Sequence, residues 1–336
     1  MIDFLKRIKR TAQRLLQRQR IRCDARRAFA YDRQQFLQQA GALHLDRQPA
    51  AVAEIVMGYH VLEKGLTMPH RHLGFGRGAV LHLVNLITDF ERRFGLTDAQ
   101  VRHAVGVLRA YWELHHETQH ELPRLGAFLA EHAVLPVAHE PHLSRSEFYK
   151  NCEASFPAFA ASRHVVRHFA GEISRDRITS AIELALTAPS ACNRQPARVH
   201  VIADHQLRDD LFELQGGSRG FGQDADKVLV VTVDLSVIRW SWERHDAYVN
   251  GGIFVMNLCY ALHYQKIAHC ILHWSVPPEA DRRAHELLGI PPNEAIVQVL
   301  ACGEAPEEFD VAASPRVSLA HAMTWHGGDG RGRVFT

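Results

Sequence analysis

Several features are missing from this 336-residue sequence, and each absence narrows its class. No apolar run reaches the length of a membrane span, and the N-terminal stretch lacks the uncharged apolar core of a secretory signal. The six cysteines (Cys23, Cys152, Cys192, Cys259, Cys270, Cys302) include no C-x-x-C pair, and several sit in apolar runs. That pattern reads as reduced, buried thiols in a cytoplasmic protein. Charge of neither sign is in excess. With 39 Lys and Arg against 37 Asp and Glu the net charge is +2, which argues neither for nor against nucleic acid, and no nucleic-acid partner is expected. No repeat and no low-complexity tract is evident. What remains is the composition of an ordinary globular protein, in a chain long for one domain and comfortable for two.

The chain is organised around one polar elbow, Thr187-Ala188-Pro189-Ser190-Ala191-Cys192-Asn193-Arg194-Gln195-Pro196. Residues 178–186 before it read as an apolar helix, and residues 199–202 after it as a strand. Pro189 stops the helix, because the residue before a proline is pushed out of the α region. Ser190, Asn193 and Gln195 then stand on a loop held at both ends by buried elements. Such a loop can offer hydrogen bonds to a flat polar ligand, or be a plain helix-to-strand connection.

The elbow has companions. About twenty-five residues upstream lies Ser162-Arg163-His164-Val165-Val166-Arg167-His168-Phe169, a segment of RxSxRxF type. Downstream come a strand over 228–234, then Gly251-Gly252 and Met256-Asn257-Leu258 in a long apolar helix over about 243–264. Leu287-Leu288-Gly289-Ile290-Pro291, a strand over 296–302 ending in Gly303, and Ser314-Pro315-Arg316 complete the series. In this order, across roughly residues 145–330, the chain resembles the nitroreductase family of FMN enzymes. The resemblance implies a mixed sheet flanked by helices, of α+β or α/β class, and an intertwined homodimer with FMN between the subunits. It also implies hydride passing from NAD(P)H through the flavin to a small-molecule acceptor such as a nitro compound, a quinone or a specialised metabolite.

The resemblance assigns residues as well. Arg163 and Arg316 would take the phosphate, for which the planar guanidinium fork is suited. His164 would lie against the phosphate or ribityl chain, and Arg167 near N1 and O2, where positive charge favours the reduced ring. Pro189, Ser190, Asn193 and Gln195 would meet the ring edge and ribityl groups, with Ser190 from the partner subunit. A backbone N–H around His273-Trp274 would face N5. No catalytic side chain and no metal are called for. The sequence departs from the family at Val165 (commonly serine), Ser314 (a lysine in some members), Lys266 (usually glycine) and Ala197 (often aromatic). These departures leave room for a family fold kept as a binding or assembly module with an incomplete flavin site.

Ahead of this region, residues 1–140 read as an all-helical domain, joined to a second domain at 145–336 by a proline-interrupted linker over 133–146. Residues 1–30 form a basic, partly amphipathic helix that either lies on an anionic membrane surface, docks on an acidic partner, or packs a narrow apolar stripe on the domain. A second helix over about 80–87 ends near Gly95. Thr97 with Gln100 reads as the capping box of a third, and Ser144 with Glu147 as that of the second domain's first helix. The segment His60-Val61-Leu62-Glu63-Lys64-Gly65-Leu66, followed by Gly74-Phe75-Gly76, reads either as a loop over a ligand or as a helix ending at Gly65 with a surface ion pair. It also looks like an extension carried by a subgroup of nitroreductase-like proteins. Finally, His116-Glu117-Thr118-Gln119-His120 is a formal H-E-x-x-H. On a helix it would bind zinc for a hydrolase, with Glu140 as a third ligand.

Overall fold

The structure is a computed structural model and describes residues 2–132 and 141–326. Two compact units emerge. One comprises residues 1–40 and 143–309, the other residues 41–142 and 310–336. This division differs from the expected 1–140 and 145–336. The N-terminal helix groups with the sheet-bearing unit, tied there by Asp32, whose carboxylate accepts from Arg244 at 2.5 Å and faces His245 at 3.1 Å. Most of the expected linker, 133–140, lies outside the described residues.

Helix α1 spans Ile2–Gln39. The second unit's helices follow: α2 (Gln48–Leu66), α3 (Arg77–Phe94), α4 (Ala99–His115) and α5 (Pro123–Glu131). α2 packs on α3 and α4 through a core that includes Ile55, Leu62, Leu83, Ile87, Leu108 and Tyr111, none above 1 % exposed. α3 ends at Gly95, as expected, with φ +74. α4 is capped by Asp98, not Thr97. The Asp98 carboxylate accepts from the backbone N–H of Gln100 and Val101, which a charged acceptor does better than a hydroxyl.

Next come β1 (His142–Ser144) and α6 (Arg145–Tyr149), whose Ser144–Glu147 capping box forms as expected. α7 (Phe156–Ser162), α8 (Arg175–Ala185), β2 (Ala197–Ile202), α9 (His205–Gln215) and β3 (Lys227–Asp234) follow. The chain continues through α10 (Asp246–Tyr264), β4 (Ala268–His273), α11 (Pro278–Leu288), β5 (Glu294–Gly303), β6 (Glu308–Asp310) and α12 (Leu319–Ala322). The sheet-bearing unit is α+β, with a four-stranded sheet in the order β2-β3-β5-β4 and β1 paired separately with β6. All three pairings in the larger sheet are antiparallel.

β3 is the central strand. Its Val-Leu-Val-Val-Thr-Val run is buried on both faces, which is why it reads as continuous rather than alternating. α10 and α8 cover one face of the sheet, and Leu258, Cys259, Leu262, Leu229, Val231 and Leu300 meet there. Gly251 is required at that contact. A Cβ on it would lie 2.9 Å from Val297 Cγ2 and 3.0 Å from Val233 Cγ1.

Candidate flavin site on the helix α10 scaffold

Two groups of residues are mounted on α10. The first is the extended segment between α7 and α8. Val166 donates its N–H to the His269 carbonyl at 3.0 Å, stitching the segment to β4. Arg167 is 8 % exposed and His164 half-buried. Arg163 is half-buried, and its Nε and Nη1 are both buried with no hydrogen-bond partner among the described residues. Its positive charge acts on Cys259, His263 and His269.

None of those three neighbours is an anion at neutral pH. Burial, joined by the charges of Arg163 and His164, pushes His263 down to about 4. Burial does the same to His269, with Arg163 adding to it, down to about 3. Burial drives the Cys259 thiol up to about 12 against the pull of Arg163. A guanidinium with two buried, unpartnered N–H groups among neutral neighbours is costly unless an anion completes it. Two oxygens of a phosphate fit that donor set.

The second group is the elbow. Cys192, Asn193 and Gln195 have φ of +53, +52 and +49. Such left-handed backbone is strained for non-glycine residues, and the surroundings hold it in place. Ser190 Oγ accepts from the Gln195 N–H at 2.9 Å, closing the turn. Arg194 reaches back through Nε to the Ala191 carbonyl and through Nη1 to the Val237 carbonyl and Glu243, at 3.1, 3.1 and 2.9 Å. From α10, Asn250 Oδ1 accepts the Ala191 N–H at 2.9 Å. Asn257 Nδ2 donates to the Ala185 carbonyl at 3.0 Å. Pro189, Asn193 and Gln195 are exposed, and the Gln195 amide donates to Asn193 Oδ1 at 3.2 Å.

Arg194, Glu243, Asn250 and Asn257 hold the elbow, a role the sequence reading gave to none of them. The two asparagines stand seven residues apart on one face of an otherwise apolar helix, a signal that could have found them.

The expected residues thus fall into separate places. Arg163, His164 and Arg167 share one segment, near the C-terminal half of α10. Ser190, Asn193 and Gln195 share the elbow, held by its N-terminal half and centre. His273 ends β4, its carbonyl accepting from Gln215 Nε2 at 2.8 Å, and Trp274 Nε1 donates to Asp281 at 2.7 Å. Arg316 belongs to the other unit, where it is exposed and Nη1 donates to the Ser314 carbonyl. Two of the departures sit in left-handed backbone, Lys266 with φ +56 and Ser314 with φ +42. At Lys266 this accounts for the glycine that the family prefers.

The formal zinc motif is not on one helix. α4 ends at His115, His116 is its C-cap, and 117–120 are turn residues, so the two imidazoles do not share a helical face. His116 faces the Trp112 and Glu113 carbonyls, and His120 sits against Gly74. No metal-binding cluster occurs among the described residues, and Glu140 lies outside them.

Residues 160–232 match the model of the Nitroreductase family, so this segment, which runs from the arginine segment through the elbow into β3, is nitroreductase-like. Among solved structures, the chain is similar to the NADPH:FMN oxidoreductase from Vibrio harveyi complexed with NAD+, at 17% identity and a TM-score of 0.45, covering 51% of this chain and 76% of that one. An FMN-dependent nitroreductase from Clostridium difficile R20291 is 18% identical with a TM-score of 0.40, covering 46% of this chain and 91% of that one. A nitroreductase family protein from Clostridium novyi NT is 16% identical with a TM-score of 0.42, covering 46% and 86%. No curated protein matches the chain.

Proposed function

We propose that this protein is an FMN-dependent oxidoreductase that passes hydride from NAD(P)H to a small organic acceptor, a nitro compound, a quinone or a specialised metabolite. The observation that carries this reading is Arg163, a half-buried cation whose Nε and Nη1 are buried without a hydrogen-bond partner among the described residues. The family match over 160–232 supports it, because that span contains both the arginine segment and the elbow.

When bound, FMN supplies the redox chemistry, taking hydride from NAD(P)H and passing electrons to the acceptor. The chain's residues bind and orient. Arg163 holds the phosphate, with His164 beside it, and Arg167 places positive charge at the N1 and O2 edge. Pro189, Ser190, Asn193 and Gln195 would present a preshaped polar edge to the ring and ribityl chain, and the backbone at His273 and Trp274 would offer an N–H to the ring. No acid or base is assigned. The arginine segment and the elbow occupy different stretches of α10, which suits a site completed across a homodimer. α10 also turns an apolar stripe outward, with Val249, Ile253 and Tyr264 at 58%, 41% and 47% exposure. Free cysteines, four of the six buried, suit a cytoplasmic location.

Purified protein incubated with excess FMN and gel-filtered is expected to keep a flavin spectrum that bleaches anaerobically with NADH or NADPH. Arg163→Ala should raise the FMN Kd by about 10- to 100-fold, the worth of a charged hydrogen-bond pair. His120→Ala should leave it unchanged. A colourless protein after reconstitution, or the reverse pattern in the two variants, defeats the proposal.

A further inference from the structure

Helix α1 is the strongest unexplained surface of the molecule. It runs for 38 residues, and residues 6–20 are all exposed. Residues 1–40 hold eleven Lys and Arg against three Asp and no Glu, a formal charge of +8, while the other 296 residues carry 28 cations against 34 acids, or −6. From Phe4 to Cys23 there are eight cations and no acid: Lys6, Arg7, Lys9, Arg10, Arg14, Arg18, Arg20 and Arg22. Interleaved with them, Phe4, Ile8 and Leu15 are 67%, 50% and 59% exposed. At 100° per residue these three fall within one narrow stripe, with Ala12 beside them, and most of the cations flank it or lie opposite. The side of α1 turned to the rest of its unit is a different one. Gln17, Arg20, Ile21 and Asp24 line a groove with Trp240 and Trp242. The later half of the helix is held by Asp32 against Arg244 and His245.

We propose that the first half of α1 is a docking surface for an anionic lipid bilayer, on which it lies in the plane of the headgroups. The Phe4, Ile8 and Leu15 stripe enters the headgroup–acyl boundary, and the flanking Lys and Arg side chains reach the acidic headgroups. A bilayer supplies both things this helix presents, an apolar layer and a sheet of negative charge. Nucleic acid would pair the cations and leave the stripe in water. Pairing with α1 of a second copy would bury the stripe and bring +8 against +8. No helix among the described residues is long and apolar enough to cross a membrane, so this contact is peripheral. It does not rest on the flavin assignment.

The test is flotation of the full-length protein with vesicles of phosphatidylcholine containing about one-third phosphatidylglycerol, against phosphatidylcholine alone. The protein is expected to float with the anionic vesicles, to stay at the bottom with the neutral ones, and to be released by high salt. Phe4→Ser/Ile8→Ser/Leu15→Ser, which leaves every charge in place, should weaken binding at least about ten-fold, since each apolar side chain removed from the interface costs several-fold. Arg7→Gln/Arg10→Gln/Arg14→Gln should weaken it by about 100-fold, roughly five-fold per cation. Circular dichroism checks that α1 persists, and both variants should keep the parent's FMN titration. Failure to float with anionic vesicles, or flotation that the serine variant leaves intact, overturns the proposal. So does binding to duplex DNA that exceeds vesicle binding, or a self-association that the serine variant abolishes while no vesicle binding is seen.

Discussion

Glu63 shows how much of this protein depends on single side chains. Its carboxylate is fully buried in α2, with His60 Nδ1 at 3.1 Å and His103 Nε2 at 2.8 Å. Burial alone would push its pKa up. Hydrogen bonds from His103 and His60, and their charges, more than offset that and hold it at about 2. A depressed carboxyl contributes stability that is fully present above the unfolded value, near 4.5, and is lost as pH falls toward 2. A gap of this size corresponds to something on the order of 3 kcal/mol. Urea midpoints compared at neutral pH and near pH 3 should therefore fall steeply for the parent and much less for Glu63→Gln, which should already be destabilised at neutral pH. Equal pH slopes in the two proteins would mean that Glu63 does not carry this charge. The sequence pointed to this segment but not to its role. Neither the loop over a ligand nor the surface ion pair describes it: Glu63 is a buried carboxylate within α2 between two histidines, and His103 lies 40 residues away, a separation that no local pattern exposes. Gly65 does not end the helix, which runs to Leu66. It is glycine because a Cβ would meet the Phe75 ring at 2.1 Å.

At the level of elements, the elbow stores backbone strain that its partners sustain. Cys192 is exposed and sits at φ +53, where a Cβ costs roughly 1–2 kcal/mol and glycine none of that. After the extra entropy that glycine loses on folding, Cys192→Gly should stabilise the protein by about 0.5–1 kcal/mol. A rise in the urea midpoint with an unchanged slope is the expected observation, and a fall would mean that the thiol makes a contact worth more than the strain. Elements with a strong local signal were legible. The Val-rich run makes β3, Gly95 ends α3, and the Ser144–Glu147 box starts α6, while α8 already ends at Ala185, ahead of Pro189. Where several chemistries fit one spacing, the sequence was less decisive. Asp98 outcompetes Thr97 as a cap, and the H-E-x-x-H pattern fails because α4 ends at His115, one residue before the motif begins. The clamp on the elbow was hidden for another reason: Glu243, in the turn just before α10, and Asn250, on α10 itself, are brought to Arg194 and Ala191 by the fold, not by proximity along the chain.

For the whole molecule, the chain's linear order and its units diverge, which no composition shift announces. α1 joins the sheet-bearing unit, and the described residues from 310 onward group with the helical one. The assembly expected from the resemblance is a homodimer, and α10 gives it a physical basis. One face of the helix is packed on the sheet, with Phe254, Leu258 and Leu262 each no more than 4 % exposed. The opposite face carries Val249, Ile253, Met256 and Tyr264 in water, at helical spacing, beside Gly252, where a Cβ would have nothing within 4 Å. An apolar stripe this long is costly in a monomer, and a small residue within it lets a second backbone come close. Val249→Asp/Ile253→Asp would place two carboxylates in the stripe at exposed positions. Burying them unpaired costs several kcal/mol, enough to weaken a dimer by at least about 100-fold. Sedimentation equilibrium should show the parent as a dimer and this variant as a folded monomer with the parent's circular dichroism. On the proposed function the monomer should also lose FMN, because Ser190 would no longer reach its partner's flavin. A parent that sediments as a monomer yet retains FMN would place the whole flavin site within one chain, and the outward stripe of α10 would then need a different occupant.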